Sequence, residues 1–389
     1  MVVAPHQPWL LSSLQSPGQI LGNLGPNWFA SVMGTGIVAT AAATLPVQVR
    51  GQQVFAQVMW TLAAILLVVL VVAVVAHWVR HPTVARSHAH NPQMAHFYGA
   101  APMAFLTVGA GALLVGKSLI GERAAVGLDA ALWTMGTIGG LFTAMTIPYL
   151  MFTQHKVEAD AAFGGWLMPV VPPMVSAATG ALLIPHMPPG TGRTTMLYGC
   201  YAMFGLSLFA SFIIITMVWS RLAHFGTSGT ARVPTLWIVL GPLGQSITAV
   251  GLLGANAHLA VSPQLASGMG IFSILFGVPV WGFAVLWIGL ATALTVRTAR
   301  QGMPFALTWW SLTFPVGTFV TGTTQLALHT ELPAFRYAAA IAYVGLLGTW
   351  CLVAVRTARG SLRGNLFLPP PNTGAIKAHK FPPVTTPPT

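Results

Sequence analysis

Four residues of the 389-residue chain carry the clearest chemistry: Phe314, Thr318, Thr321 and Gln325 follow one another at helical spacing. A phenyl ring can plug a narrow passage, and the hydroxyls and amide beyond it can replace part of a solute's hydration. The same residues also have an ordinary reading, since membrane Phe packs against neighbours or lipid, and Thr and Gln often satisfy nearby carbonyls. A second group is His77, His81, His88, His90 and His96. His77 and His81 are four apart and share a face if their helix continues, which would suit a metal ion or a pH sensor. As a set they read instead as a basic, wettable loop beside lipid headgroups, so no metal site is expected. Cys200 and Cys351 are isolated thiols in apolar stretches and read as core packing. No phosphate-binding loop, dinucleotide fingerprint or Ser–His–Asp arrangement is present, so no catalytic residue and no cofactor is expected.

The elements that hold these residues must be membrane helices. Charged residues make up 6% of the chain and apolar ones 55%, against roughly 25% charged in a soluble domain. Such a surface excludes a soluble enzyme, and the hydrophobicity excludes disorder. Two cysteines exclude a disulfide scaffold. Charge-free intervals of about 20 residues or more give ten spans, near 27–45, 54–77, 97–116, 129–152, 166–185, 195–218, 235–256, 267–296, 306–326 and 335–355. Residues 1–25 read as an N-terminal cytoplasmic segment without a signal peptide, 26–356 as the transmembrane unit, and 357–389 as a basic, Pro-rich, disordered tail. Lys and Arg divide 12 to 5 between the two sets of loops, and the rich side includes the tail. Both termini are therefore expected in the cytoplasm. This topology also accounts for the net charge of +12, so nucleic acid is not an expected partner. Membrane lipid is.

A repeat organises the spans. Phe97…Pro102, Trp237…Pro242 and Trp310…Pro315 share an aromatic residue followed by Pro, Trp166…Pro172 is one residue longer, and Trp28…Met33 has Met in the Pro position. The markers 33, 102, 172, 242 and 315 lie 69, 70, 70 and 73 residues apart, each followed by a Gly (Gly36, Gly109, Gly180, Gly251, Gly322). The expected fold is thus an all-α polytopic membrane protein in which ten transmembrane helices form five repeated hairpins. Proline and glycine helices suit an interior where freed carbonyls find partners. The five odd-numbered helices, kinked at Pro102, Pro172, Pro242 and Pro315, should therefore ring a central pore. The residues before the markers, Val32, Ala101, Val171, Gly241 and Phe314, then set one ring against four small side chains. Further along lie Gly36, Phe105, Val175, Gln245 and Thr318, then Ala39, Val108, Ala178, Thr248 and Thr321. Gly36, Gln245, Thr248, Thr318 and Thr321 are the expected pore lining; Phe105 rivals Phe314 as the plug.

Pro26–Thr40 (PNWFASVMGTGIVAT) and Trp309–Thr318 (WWSLTFPVGT) resemble the tellurite-resistance/dicarboxylate transporter family. That family includes bacterial tellurite-resistance membrane proteins, plant slow anion channels, yeast malate permeases and fungal sulfite pumps, and the likeness covers about 27–355. The resemblance implies an uncharged pore lined by the odd helices, a phenylalanine gate matching Phe314, and a homotrimer in the cell (inner) membrane.

No Asp, Glu, Lys or Arg is expected in the middle of any span, which argues against a proton pump with a membrane carboxylate. The leading expectation is channel-like, facilitative passage of small inorganic or organic anions. The alternative is a proton- or potential-driven carrier of C4-dicarboxylates, or an exporter of sulfite or tellurite oxyanions. A membrane enzyme or haem protein using histidine ligands is a third reading, which the placement of His at span ends disfavours.

Overall fold

The computed structural model describes residues 10–16 and 18–368. Residues 1–9 and 17 of the expected N-terminal segment, and 369–389 of the expected tail, lie outside the described residues. Among the described residues there is no β-strand. Ten principal helices stand where the charge-free intervals place them: α1 Phe29–Thr44, α2 Gln52–Arg80, α3 Ala100–Gly111, α4 Glu122–Thr153, α5 Pro172–Leu183, α6 Thr191–Phe225, α7 Leu240–Asn256, α8 Pro263–Arg300, α9 Phe314–Thr330 and α10 Pro333–Arg363. α10 thus runs past the expected tail boundary at 356. Among the described residues seven helical stretches, built on α2, α3, α4, α6, α7, α8 and α10, are long and apolar enough to cross a membrane. α1, α5 and α9 are shorter, at 16, 12 and 17 residues.

Each odd helix is entered through a 3₁₀ segment: Pro26–Trp28, Ala95–Gly99, Gly164–Leu167, Val233–Val239 and Leu307–Leu312. This corrects the expectation of mid-helix kinks. Pro102, Pro172, Pro242 and Pro315 all sit in the first turn of their α segments. There the missing N–H has no intrahelical partner to lose. Each proline therefore marks where the 3₁₀ entry becomes an α-helix. The prolines truly inside helices are Pro148 of α4 and Pro279 of α8, both even.

The inside–outside division follows burial. α1, α5 and α9 are buried along nearly their whole length, and 89% of the apolar window in Val233–Leu259 is buried. The even helices bury only 22% to 33% of theirs. They turn rows such as Val58, Ile65, Val68, Val72 and Val75 of α2 outward. Contacts among the odd helices close on themselves: α1 packs on α3, α3 on α5, α5 on α7, α7 on α9, and α9 on α1. The five 3₁₀ entries make the same closed series, so the odd helices run parallel. At α7–α9 the main chains nearly touch: a Cβ on Gly322 would lie 2.7 Å from the Gly244 carbonyl oxygen, and one on Gly244 would strike the main chain of Thr318 and Phe319.

Tryptophans tie the outer layer to the inner one. Trp60 of α2 donates to the Val108 carbonyl of α3 at 2.9 Å, and Trp133 of α4 to that of Ser176 in α5 at 2.9 Å. Trp281 of α8 donates to Thr323 Oγ1 of α9 at 2.9 Å, and Trp350 of α10 to Thr35 Oγ1 of α1 at 3.1 Å. Four of the five outer helices thus reach the inner helix of the next hairpin, and Trp350 does so between the last hairpin and the first. α6 carries no such indole; Phe204 is buried there, edge-on to Phe276. The first and last described segments meet at the entry side, where Leu11 N–H donates to the Leu362 carbonyl at 2.7 Å.

Candidate functional site

Two cavities lie within the cycle of odd helices. The one toward the helix C-termini has a volume of about 80 Å³ and draws on all five inner helices. The one at the entry side is smaller, about 20 Å³, lined by Met33, Met103, Val171, Gly241 and Trp310 among others. Phe314 lines both, and no other described residue does. Its ring is 4% exposed. The α9 start fixes it there: the Leu307–Leu312 3₁₀ entry ends at Thr313, whose hydroxyl donates to the Trp310 carbonyl at 2.7 Å. Gly241 stands at the same level with nothing within 4 Å of where its Cβ would be, leaving free space on the α7 side.

Neither cavity is lined by Asp, Glu, Lys, Arg or His. The larger one is edged by a threonine from every inner helix: Thr40, Thr107, Thr179, Thr248 and Thr321. Each hydroxyl has a carbonyl of its own helix within reach, as Thr107 has that of Met103 at 2.7 Å and Thr179 that of Val175 at 2.9 Å. Thr248 and Thr321 also meet across α7–α9 at 2.8 Å, where one of the two donates its single hydrogen to the other. With the hydroxyl hydrogens committed to main chain or to one another, the amides are the freer groups. Gln245 Oε1 is buried without a hydrogen-bond partner among the described residues, and Gln325 lines the same cavity. A carboxamide can turn either its oxygen or its NH₂ inward, so these two can donate to an anion.

Of the expected lining, Gln245, Thr248 and Thr321 reach this cavity, and Gly36 and Thr318 do not. Thr318 is fully buried between helices and its hydroxyl faces the Leu240 carbonyl at 3.0 Å and that of Pro315 at 2.7 Å. Gly36 faces α3, where a Cβ would meet the Thr107 methyl at 2.7 Å. Phe105, the rival plug, is half-buried and lines neither cavity. One cause explains all the differences on α1 and α3. The proline-based alignment of the repeats holds for α5, α7 and α9 but slips by one residue on α1 and two on α3. Met33 and Met103 take the places assigned to Val32 and Ala101, and Thr40 and Thr107 those assigned to Ala39 and Phe105. Two residues turn a helix by about 200°, which puts Phe105 on the wrong side. The threonines recur at intervals of 67, 72, 69 and 73 residues, a signal that aligning on threonine instead of proline would have caught.

A membrane carboxylate was also missed. Asp129 lies inside α4, is fully buried, and neither of its oxygens has a hydrogen-bond partner among the described residues. It packs on α3, where a Cβ on Gly109 would lie 2.6 Å from Oδ1. It lines neither cavity. His77 and His81 do not share a continuing helix, because α2 ends at Arg80 ahead of Pro82. His77 is buried, stacks on His88 at 5.6 Å, and its Nδ1 lies 2.6 Å from the Leu21 carbonyl oxygen. Burial, then the His77 charge, push His88 below its ordinary value. Among the described residues no three of His, Cys, Asp and Glu come together as a metal site would need. Cys200 is buried as expected, but Cys351 is exposed on the outer face of α10.

The model of a family described as voltage-dependent anion channel (SLAC1) matches residues 23–358. An uncharacterised transporter of Methanocaldococcus jannaschii is 25% identical over 366 residues, covering 92% of this chain and 99% of its own. A sulfite efflux pump of Trichophyton rubrum is 26% identical over 353 residues, 89% of this chain and 93% of its own. A malic acid transport protein of Schizosaccharomyces pombe is 20% identical across 410 aligned positions, 99% of this chain and 90% of its own.

Proposed function

The chain belongs to the voltage-dependent anion channel family, and from that premise we propose that it passes small anions through the lumen of its inner helices, gated by Phe314. It is an integral membrane protein of an anion-transporting family. In the proposed arrangement all ten helices span the membrane as five hairpins, with residues 26–356 as the transport unit. Both termini are cytoplasmic, the cell membrane is the site, and three copies assemble. The closed series of inner-helix contacts supports the pore, and the meeting of Leu11 with Leu362 supports termini on one side.

The observation that carries the gate is that Phe314 alone borders both cavities. Its ring swinging toward the space beside Gly241 joins them. The anion then passes the amides of Gln245 and Gln325, whose N–H groups replace part of its hydration. With no Arg or Lys to clamp it, it is held weakly and leaves readily. The test is anion flux in liposomes carrying the purified protein. Phe314→Ala is expected to raise flux by about tenfold, the effect of removing a barrier of about 1.4 kcal/mol. Unchanged flux in that variant removes the gate assignment.

The names of the relatives favour one further reading. The cargo is an oxyanion such as sulfite or a dicarboxylate such as malate, moved by a proton gradient or the membrane potential. Competition among chloride, nitrate, sulfite, malate and tellurite, with and without an imposed pH gradient, separates this carrier from a passive channel. A carrier saturates and follows the gradient.

A further inference from the structure

A third cavity lies outside the lumen. It is a cleft of about 880 Å³ at the entry side, between the end of α4, the entry to α5, the end of α6 and the entry to α7. None of its lining residues borders either lumen cavity. Its charged residues are Lys156, Glu158, Asp160, Arg221 and Arg232, a balance of one positive charge.

The two arginines are unusually placed. Arg221, in the last turns of α6, is 8% exposed. It spends Nε on the Asp160 carbonyl at 3.0 Å and one terminal nitrogen on the Gly226 carbonyl. A guanidinium has five N–H donors, so the others remain. Arg232 sits over the Phe163 ring at 5.7 Å. Neither makes a salt bridge with a described carboxylate; Lys117–Glu122 is the ion pair found among the described residues. Burial pushes Arg232 down from its ordinary value, and the Asp160 carboxylate pulls it back up. A buried guanidinium is costly; Arg221 has two carbonyls and shares the nearby Asp160 carboxylate with Arg232, and a further anion between the two arginines offsets more of that cost. The uncharged part of the wall is mixed: Met151, Phe163, Trp166 and Phe225 give it an apolar stretch, and Gln93, His96, Thr227 and Ser228 a polar one; the apolar stretch lies where the apolar faces of α4 and α6 end.

We propose that this cleft binds a phosphate group between Arg221 and Arg232. The planar forks of two guanidiniums match the oxygens of a tetrahedral oxyanion. Lys156 adds charge, while Glu158 and Asp160 limit the site to a group of low net charge. A phosphodiester in a lipid headgroup has that charge, and its acyl chains would continue down the apolar wall between α4 and α6. Free inorganic phosphate shares the same chemistry, so the two sources need separating. The site stands apart from the lumen and does not depend on the gate assignment.

The test uses the full chain in neutral detergent. Phosphatidylglycerol, phosphatidylcholine or inorganic phosphate is added, thermal stability is measured, and bound lipid is counted by native mass spectrometry. Arg232→Gln is the main variant, because Arg232 holds no loop by a described hydrogen bond; Arg221→Lys is the second. Wild type is expected to retain phosphatidylglycerol over phosphatidylcholine and to gain thermal stability from it. Arg232→Gln should cut that retention by about tenfold, the loss of one charge-assisted contact. Arg221→Lys should fold, lower melting without ligand, and lose the lipid-dependent gain. A full stabilisation by inorganic phosphate alone assigns the site to the free ion, and one by lipid alone assigns it to the headgroup. The proposal is overturned if neither ligand stabilises wild type, or if Arg232→Gln retains as much lipid as wild type.

Discussion

At Phe314 the argument for a gate rests on what the ring separates and on what stands opposite it. Gly241 leaves free space there, whereas Met33 and Met103 crowd the α1 and α3 sides. If the ring opens toward α7, filling that space must hinder it. Gly241→Ala is therefore expected to fold, since nothing lies within 4 Å of its Cβ, and to cut anion flux severalfold. Flux equal to wild type would mean that Phe314 moves elsewhere. Asp129 poses the opposite question, of a charge with no work in the lumen. An unpartnered buried carboxylate costs several kcal/mol, so Asp129→Asn should melt higher than wild type, by about 1 kcal/mol or more. A lower melting temperature would show that the carboxylate has a partner, a bound water or cation, at Gly109. Sequence reading found Phe314, Gln245, Thr248 and Thr321 because α7 and α9 keep the proline register. It lost Thr40 and Thr107 and chose Phe105 because proline marks a helix start, and on α1 and α3 that start shifts against the cavity-facing stripe; Thr179, on α5 where the register holds, borders the cavity one residue beyond the layer that was compared.

The helices themselves were legible to within about eight residues at their ends, since the rare charges punctuate the apolar runs. The 3₁₀ entries were not, because a proline in an apolar run reads equally as a kink or as a first turn. The tryptophan ties were invisible for another reason. An indole N–H must find an acceptor wherever it is buried, and the sequence does not say on which helix. Their pattern now says something about assembly of the fold. Trp60, Trp133 and Trp281 join consecutive hairpins, but Trp350 to Thr35 bridges 315 positions and closes the series. Trp350→Phe removes that hydrogen bond while keeping most of the apolar contact. It should cost about 1 kcal/mol, read as a lower melting temperature, and should loosen α1 against α10 selectively. Hydrogen exchange in α1 and α10 rising above that in α5 and α7 is the expected signature. Uniform exchange across all four would mean that the seam is held by packing alone.

Taken as a whole, the molecule sets a net charge of +12 around a lumen whose lining carries none. These two features act through different physics. If the proposed pore conducts, the surface field draws anions toward its mouths, and dissolved salt screens that field over about 10 Å at 0.1 M. The amides and hydroxyls inside act by contact and are little affected by salt. Preference for anions over cations should therefore have a salt-dependent part, whereas the ranking among anions should not. Reversal potentials under matched salt gradients, taken at about 0.01 M and again near 1 M, where the screening length falls from about 30 Å to 3 Å, separate the two. The anion-to-cation permeability ratio is expected to fall severalfold, and the order among chloride, nitrate and sulfite to stay fixed. A ratio unmoved by salt would place the discrimination wholly in the lumen, on Gln245 and Gln325. A reordering of the anions would mean that a charged group absent from the two cavities reaches the conducting path, and Asp129, one helix behind Thr107, would be the first residue to neutralise.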